Sequence, residues 1–316
     1  MQGLKKAKEL IEQAKDVTIA CHINPDGDCI GSMLALGLAL EKAGKKVRMI
    51  SPDGVPKRYR FLEGADRVQR TAKKAPELAV AVDCGNKDLL GRSFDIFRRA
   101  KNTIEIDHHE IREPFADVQM VDPDAAAVGE QIQLLLDKLH IEVDRAIAEN
   151  ILTSIIVETN SFRLPCVRPF TFELCARLAR AGVDFYALAD NVYWANTKEI
   201  ALLSGICLSR CKFKSSGRIV WSIVRKKDFD KVKGRDEDVD AVADEMRAIR
   251  GVKIAVLFRE QRKGRLRVSL RSKHHINVAR VALLYGGGGH ADVAGCYIPN
   301  KASSIKGILA RLEKLV

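Results

Sequence analysis

The sequence predicts an α/β protein: a mostly parallel, helix-covered sheet carrying a metal site, and a smaller α/β C-terminal domain joined to it by a helical linker. Three observations lead there. Short apolar runs alternate with helix-spaced segments through the first half of the chain. Several of those runs break into acid- and histidine-rich residues at their C-terminal side, the side on which such sheets bind ligands. After a mainly helical stretch, the last third holds strand-like runs of its own.

The elements follow in order. Residues 4–15 have helical spacing, "DVTIACH" reads as a buried strand, and "GSMLALGLALEKAG" reads as a helix that stops at Gly44. "KVRMIS", "LAVAVDCG" and "NTIEIDHHE" are the next short apolar runs. A catalytic domain is expected over residues 1–186, a helical linker over 187–212 and a second domain over 213–316. In the last, "RIVWSIV", "KIAVLFRE" and "LRVSLRS" have strand character and "EDVDAVADEMRAI" has helical character. The mixed-sign run "RKKDFDKVKGRDEDVD" reads as a solvated connection.

Composition narrows the function. The 316 residues are 47% hydrophobic, enough for one large or two medium cores. No uninterrupted apolar run of about 18 residues occurs, and the N-terminus alternates charged with apolar residues, so a soluble, cytoplasmic protein without membrane contact is expected. The eight cysteines include no C-x-x-C pair and most read as small buried hydrophobes; Cys207 and Cys211 sit four apart on an apolar helix face. A net charge of +12 favours anionic partners. Residues 251–280 alone hold nine Lys or Arg against Glu260, although such side chains also protect a solvated strand edge.

Three strand ends bring metal-binding residue types to one side of the sheet: His22, Asp26 and Asp28 in "CHINPDGDCIGS", Asp83 in "AVAVDCG", and Asp107, His108 and His109 in "IEIDHH". Alone, "NPDGD" is a turn and a single Asp is a helix cap. Together they form a set of oxygen and imidazole ligands without thiolate. That chemistry suits Mn²⁺ or a similar divalent ion, with enough carboxylates for two ions sharing a bridging Asp. The run "YGGGGH" lacks P-loop spacing, but its glycines allow backbone N–H groups to approach an anion, and Arg271 can clamp a phosphate. His274 and His275, with no carboxylate nearby, read as an exposed basic loop.

In this order, "HINPDGD", "VDCG" and "IDHHE" resemble the first three motifs of the DHH phosphoesterase family. "LRSKHHINVARVALLYGGGGHADVAGC" is similar to the Gly-Gly-Gly-His region of the DHH-associated C-terminal domain in its nano-RNase and RecJ-type branches. The resemblance implies two divalent ions, with His22 and Asp26 on one, Asp28 and His108 on the other, and Asp83 bridging as a catalytic residue beside His108 and His109. His109 would face the substrate phosphate, and Asp107 would orient a loop or an imidazole. Arg271, Gly287, Gly288, Gly289 and His290 would bind substrate. Where the family's fourth motif has Asp, this chain has Glu158 in "SIIVETNSFR"; it would ligate directly, through water, or leave the second ion weak.

By resemblance, the expected activity is a two-metal phosphodiesterase that trims short RNA oligonucleotides to mononucleotides, with possible removal of a phosphate from 3′-phosphoadenosine 5′-phosphate. Metals on one domain and anion-binding residues on the other would leave a short cleft. A homodimer is also implied. The alternatives are a phosphodiesterase for cyclic dinucleotides or their linear products, and a nucleotide-binding module with weak catalysis. A RecJ-type exonuclease is disfavoured for want of an OB-fold, and a pyrophosphatase because that branch lacks the glycine-His motif.

Overall fold

A computed structural model describes residues 2–194, 196–273, 275–289 and 291–316. The chain divides into two compact units, Met1–Ala195 and Asn196–Val316. The first contains strands β1 (Asp16–Ala20), β2 (Lys46–Ile50), β3 (Leu78–Val82), β4 (Asn102–Asp107) and β5 (Val118–Val121). Its helices are α1 (Gln2–Gln13), α2 (Gly27–Lys42), α3 (Phe94–Phe97), α4 (Val128–Leu139), α5 (Arg145–Glu158), α6 (Pro169–Arg180) and α7 (Phe185–Ala189), the last running into a π-helical turn, Asp190–Trp194.

All strand pairs of this sheet are parallel, in the order β2-β1-β3-β4-β5. Every residue of β1 and β3 is buried, as expected of unbroken apolar strands covered on both faces. The order reverses between β1 and β3, so their C-terminal ends flank a switch point where α/β sheets bind ligands. His22 and Asp83 follow these two strands, and His108 and His109 follow β4. The expected parallel, helix-covered sheet is therefore present.

Two glycines set how closely α2 approaches α5. A Cβ on Gly27 would lie 2.5 Å from the Val157 side chain, and one on Gly31 would lie 2.4 Å from the Asn150 backbone oxygen. Spaced four apart, they share one face of α2, and this contact brings Asp28 against α5. Gly31→Ala gains helix propensity but meets backbone that cannot turn aside. We expect a net loss of about 1–3 kcal/mol, visible as a lower unfolding midpoint in a denaturant titration.

The second unit contains α8 (Lys198–Ser209), β6 (Lys212–Lys214), β7 (Ile219–Val224), α9 (Lys226–Val232), α10 (Val242–Arg247), β8 (Ile254–Gln261), β9 (Arg265–Ser272), α11 (Ala279–Leu283), β10 (Gly288–Gly289), β11 (Val293–Pro299) and α12 (Ala302–Glu313). Its sheet runs β10-β11-β9-β8-β7-β6, antiparallel except between β7 and β8. The expected helix in "EDVDAVADEMRAI" is split into a 3₁₀ turn, Asp236–Val239, and α10.

The run "RKKDFDKVKGRDEDVD" is not the solvated connection its mixed charge suggested. Its first half is α9, where buried Asp228 accepts from both terminal nitrogens of Arg210 at 2.6 and 3.0 Å. In its second half, Asp236 and Asp240 receive the buried Arg259 guanidinium from β8. Burying that cation demands carboxylate partners, which this segment supplies. No described helix is long and apolar enough to cross a membrane.

Candidate metal centre

Each ligand candidate is held by local structure that the sequence builds around it. The Asp26 side chain accepts from the Cys29 backbone N–H as the N-cap of α2, and Asp28 lies in the first turn of that helix, fully buried. Its Oδ1 accepts from Ser32 at 3.1 Å and Ser154 at 2.6 Å, and its Oδ2 accepts from the Val128 N–H at 3.0 Å. Ser32 stands one turn along α2 from Asp28, and Ser154 one turn before Glu158 on α5, so each helix contributes an i,i+4 pair. Asp83 follows β3 with φ +58°, a left-handed conformation that Asp tolerates better than most residues.

The histidines are oriented by acceptors at Nδ1. His22 donates from Nδ1 to the Ile23 carbonyl at 2.7 Å, and His108 donates to the Ala125 carbonyl at 3.1 Å. A carbonyl can only accept, so Nδ1 carries the proton and in the neutral ring the lone pair lies on Nε2. These two Nε2 atoms point into the carboxylate cluster. His22 Nε2 is 3.8 Å from Asp26 and 3.6 Å from Asp83 Oδ2. His108 Nε2 is 3.5 Å from Asp28, 3.8 Å from Asp83 Oδ1 and 3.7 Å from Glu158.

The residues thus fall into three ligand groups: His22 with Asp26 and Asp83, Asp28 with His108 and Glu158, and Asp83 with His108 and His109. Within each, the donor atoms lie within 4.8 Å of one another. Asp83 faces both histidine sides, Oδ2 toward His22 and Oδ1 toward His108. Its Oδ1 is buried without a hydrogen-bond partner among the described residues. A buried carboxylate oxygen with no donor is costly in a metal-free protein and suits a cation.

Electrostatics agree. Burial first, and the facing Asp83 carboxylate second, push Asp28 up to about 7. Glu158 is raised well above the usual carboxylate range by burial, then by Asp28 and Asp26. Burial would lower His108, but Asp28, Asp83 and Glu158 outweigh it and lift the imidazole to about 9. His22 is likewise raised well above its ordinary value against burial, by Asp26 and Asp83. Without metal, protons are held where cations would sit.

Asp107 is buried and accepts from His109 Nδ1 at 2.6 Å and from the His108 backbone N–H at 2.9 Å. Its own backbone carbonyl accepts from Gln131 at 2.6 Å. The structure therefore brings His22, Asp26, Asp28, Asp83, His108, His109 and Glu158 together, with Asp107 behind His109. Sequence reading had not found Ser32, Ser154 or Gln131. The i,i+4 spacing to Asp28 and Glu158 was a usable signal for the two serines.

In the second unit Arg271 lies on β9 opposite Val293 of β11. Its Nε donates to Asp244 at 3.0 Å, and Arg247 pairs with the same carboxylate at 2.9 Å. The glycine run has a packing role: a Cβ on Gly287 would lie 2.0 Å from the Gly295 oxygen, and one on Gly289 would lie 2.4 Å from the Val293 oxygen. Gly288 has open space where a Cβ would stand. His290 and His274 lie outside the described residues, and His275 is exposed.

Beyond the C-terminal ends of β1, β3 and β4 of a parallel sheet, where such folds bind ligands, the converging imidazole and carboxylate groups form a donor set that could hold metal ions. The chain belongs to the DHH family: the family's N-terminal domain matches residues 16–156 and the DHHA1 domain matches residues 218–316. It is a hydrolase acting on phosphoric ester bonds. A bifunctional oligoribonuclease and PAP phosphatase from Thermus thermophilus is 31% identical over 88% of this chain and 83% of its own length. A protein with the same description from Bacillus subtilis is 25% identical over 93% of this chain and 92% of its own. Among solved structures, an exopolyphosphatase-related protein from Bacteroides fragilis shares the fold with TM-score 0.92 at 20% identity, over 99% of this chain and 96% of its own. RecJ from Thermus thermophilus, solved with Mn²⁺, aligns at TM-score 0.59 and 15% identity; the match covers 99% of this chain and 54% of RecJ.

Proposed function

We propose that this protein is a two-metal phosphodiesterase that hydrolyses short oligoribonucleotides to mononucleotides, with 3′-phosphoadenosine 5′-phosphate as a second substrate. One observation carries the two-metal reading: Asp83 presents one oxygen to the His22 side and the other, unpartnered and buried, to the His108 side. Support for the substrate class comes from the relatives described as oligoribonucleases and PAP phosphatases.

His22, Asp26 and Asp83 would hold one divalent ion, and Asp83, Asp28, His108 and Glu158 the other; the oxygen and imidazole donor set suits Mn²⁺. Bound there, the ions supply Lewis acidity toward phosphoryl oxygens and a water of lowered pKa. The chain's own residues do the rest. Asp107 fixes the His109 ring through Nδ1, which would leave its other nitrogen to serve a substrate phosphate. Ser32, Ser154 and the Val128 N–H hold Asp28 in place, so the carboxylate needs no reordering to act as a ligand. In the second unit, Arg271, Gly287, Gly288, Gly289 and His290 are the proposed phosphate-binding residues, and Asp244 sets the direction of the Arg271 guanidinium.

The test is Mn²⁺-dependent mononucleotide release from 5′-labelled RNAs of two to about 24 residues, with 3′-phosphoadenosine 5′-phosphate and a cyclic dinucleotide in parallel. Turnover concentrated on two to about five residues is expected. Turnover of the cyclic compound alone, or of long strands preferentially, would replace this substrate assignment. Binding of all substrates without turnover would make the protein a nucleotide-binding module.

A further inference from the structure

We propose that Tyr186 and Trp194 form a base-stacking platform, on the same unit as the metal centre, that selects single-stranded, base-bearing substrates; this rests on the function proposed above. Both side chains are largely solvent-exposed, 70% and 66%. Exposed aromatics are ordinary when scattered, but these two touch each other edge to face, with ring centroids 5.9 Å apart. The pair leaves most of its aromatic surface open to solvent.

Its placement is built into the fold. Trp194 ends the π-helical turn Asp190–Trp194, a rare form of helix that recurs at functional sites. The neighbouring Tyr193 donates its hydroxyl to the Ile156 carbonyl at 3.0 Å, two residues before Glu158 on α5. The same turn packs against the 3₁₀ turn Lys57–Tyr59. Tyr59 itself is buried. The π-helical turn is thereby fixed to α5, the helix that carries Glu158, and to the turn Lys57–Tyr59.

Charge points to a nucleic-acid strand. Lys57 and Arg58 on the turn packed against the π-helical turn, and Arg60 just after it, are exposed, with Asp190 as the opposing charge on the π-helical turn. Cationic side chains beside an open aromatic face are the combination that binds single strands, the cations on phosphates and the rings on bases. Stacking requires a base that is not already stacked in a duplex, so the platform favours single-stranded ends over paired RNA.

Trp194 provides its own probe, since Trp221 is the other tryptophan in the chain. In the metal-free Trp221→Phe protein, saturable quenching of Trp194 emission is expected from 5′-phosphorylated diadenylate and not from ribose 5-phosphate. In the Mn²⁺-loaded protein, the ratio of kcat/KM for diadenylate to that for its abasic counterpart should fall about fivefold or more in Trp194→Ala and in Tyr186→Ala. The change should lie in KM, and Trp194→Phe should restore most of it. Equal losses on both substrates, or absence of quenching, would overturn the platform. So would a changed mass by light scattering in either alanine variant, which would make the pair a contact between copies of this chain. A wild-type protein inactive on every substrate would refute the phosphodiesterase reading instead, and the quenching would then decide the platform alone.

Discussion

Asp83→Asn is expected to lower kcat/KM for a dinucleotide by about 10³-fold or more while leaving the fold intact. The size follows from the role proposed for it: a carboxylate shared by two cations would give way to a neutral amide that can serve at most one of them well, and the neutralisation of phosphoryl charge at stake is worth several kcal/mol. Asn is the informative replacement. Asp83 has φ +58°, which Asn accepts with little strain and Ala accepts poorly. The substitution also removes one of the carboxylates that raise Asp28 and His108. Relief of the repulsion on Asp28 and loss of the attraction for His108 and His22 oppose each other, so the metal-free variant should unfold close to the wild-type temperature. A variant that keeps more than about a tenth of wild-type activity would remove Asp83 from the centre of the mechanism.

Metal affinity should rise steeply with pH. His22, His108, Asp28 and Glu158 all have raised pKa values in the metal-free fold. Each therefore stabilises the fold below its unfolded-state pKa, and that contribution is lost as pH rises through its folded-state value. For Asp28 the loss is complete above about 7, and for His108 above about 9. A cation must displace these protons, since it takes the deprotonated ligands. Between pH 6 and 8, affinity should increase about tenfold per pH unit for each proton released. Titration calorimetry in two buffers of different ionisation enthalpy counts the protons directly. An affinity independent of pH over that range would mean that cations bind elsewhere.

The sequence showed the site because its residues are concentrated where buried strands end. An apolar run needs no Asp or His at its C-terminal edge for packing, so three such edges in "ACHINPDGD", "AVAVDCG" and "IEIDHH" stood out. The alternation of strands and helices and the unbroken apolar runs likewise determined the parallel sheet. What stayed hidden was held by backbone. The Ala125 carbonyl that orients His108 and the Val128 N–H that anchors Asp28 carry no residue-type signature. The mixed charges from Arg225 to Asp240 looked solvated because nothing in that run reveals that Arg259, remote in sequence, is buried against it. The glycine run pointed to anion approach, whereas Gly287 and Gly289 are also required by the close passage of β11. The contact between Tyr186 and Trp194 was invisible for a related reason: a π-helical turn lies between them, and ordinary helical periodicity does not reveal it.

The account turns on two cations sharing Asp83, and low-temperature electron paramagnetic resonance of the Mn²⁺-loaded protein tests it most directly. Two ions per chain with the multiline spectrum of an exchange-coupled pair are expected, collapsing in Asp83→Asn to the signal of isolated Mn²⁺. An uncoupled six-line spectrum in the wild-type protein, or saturation at one ion per chain, would contradict it.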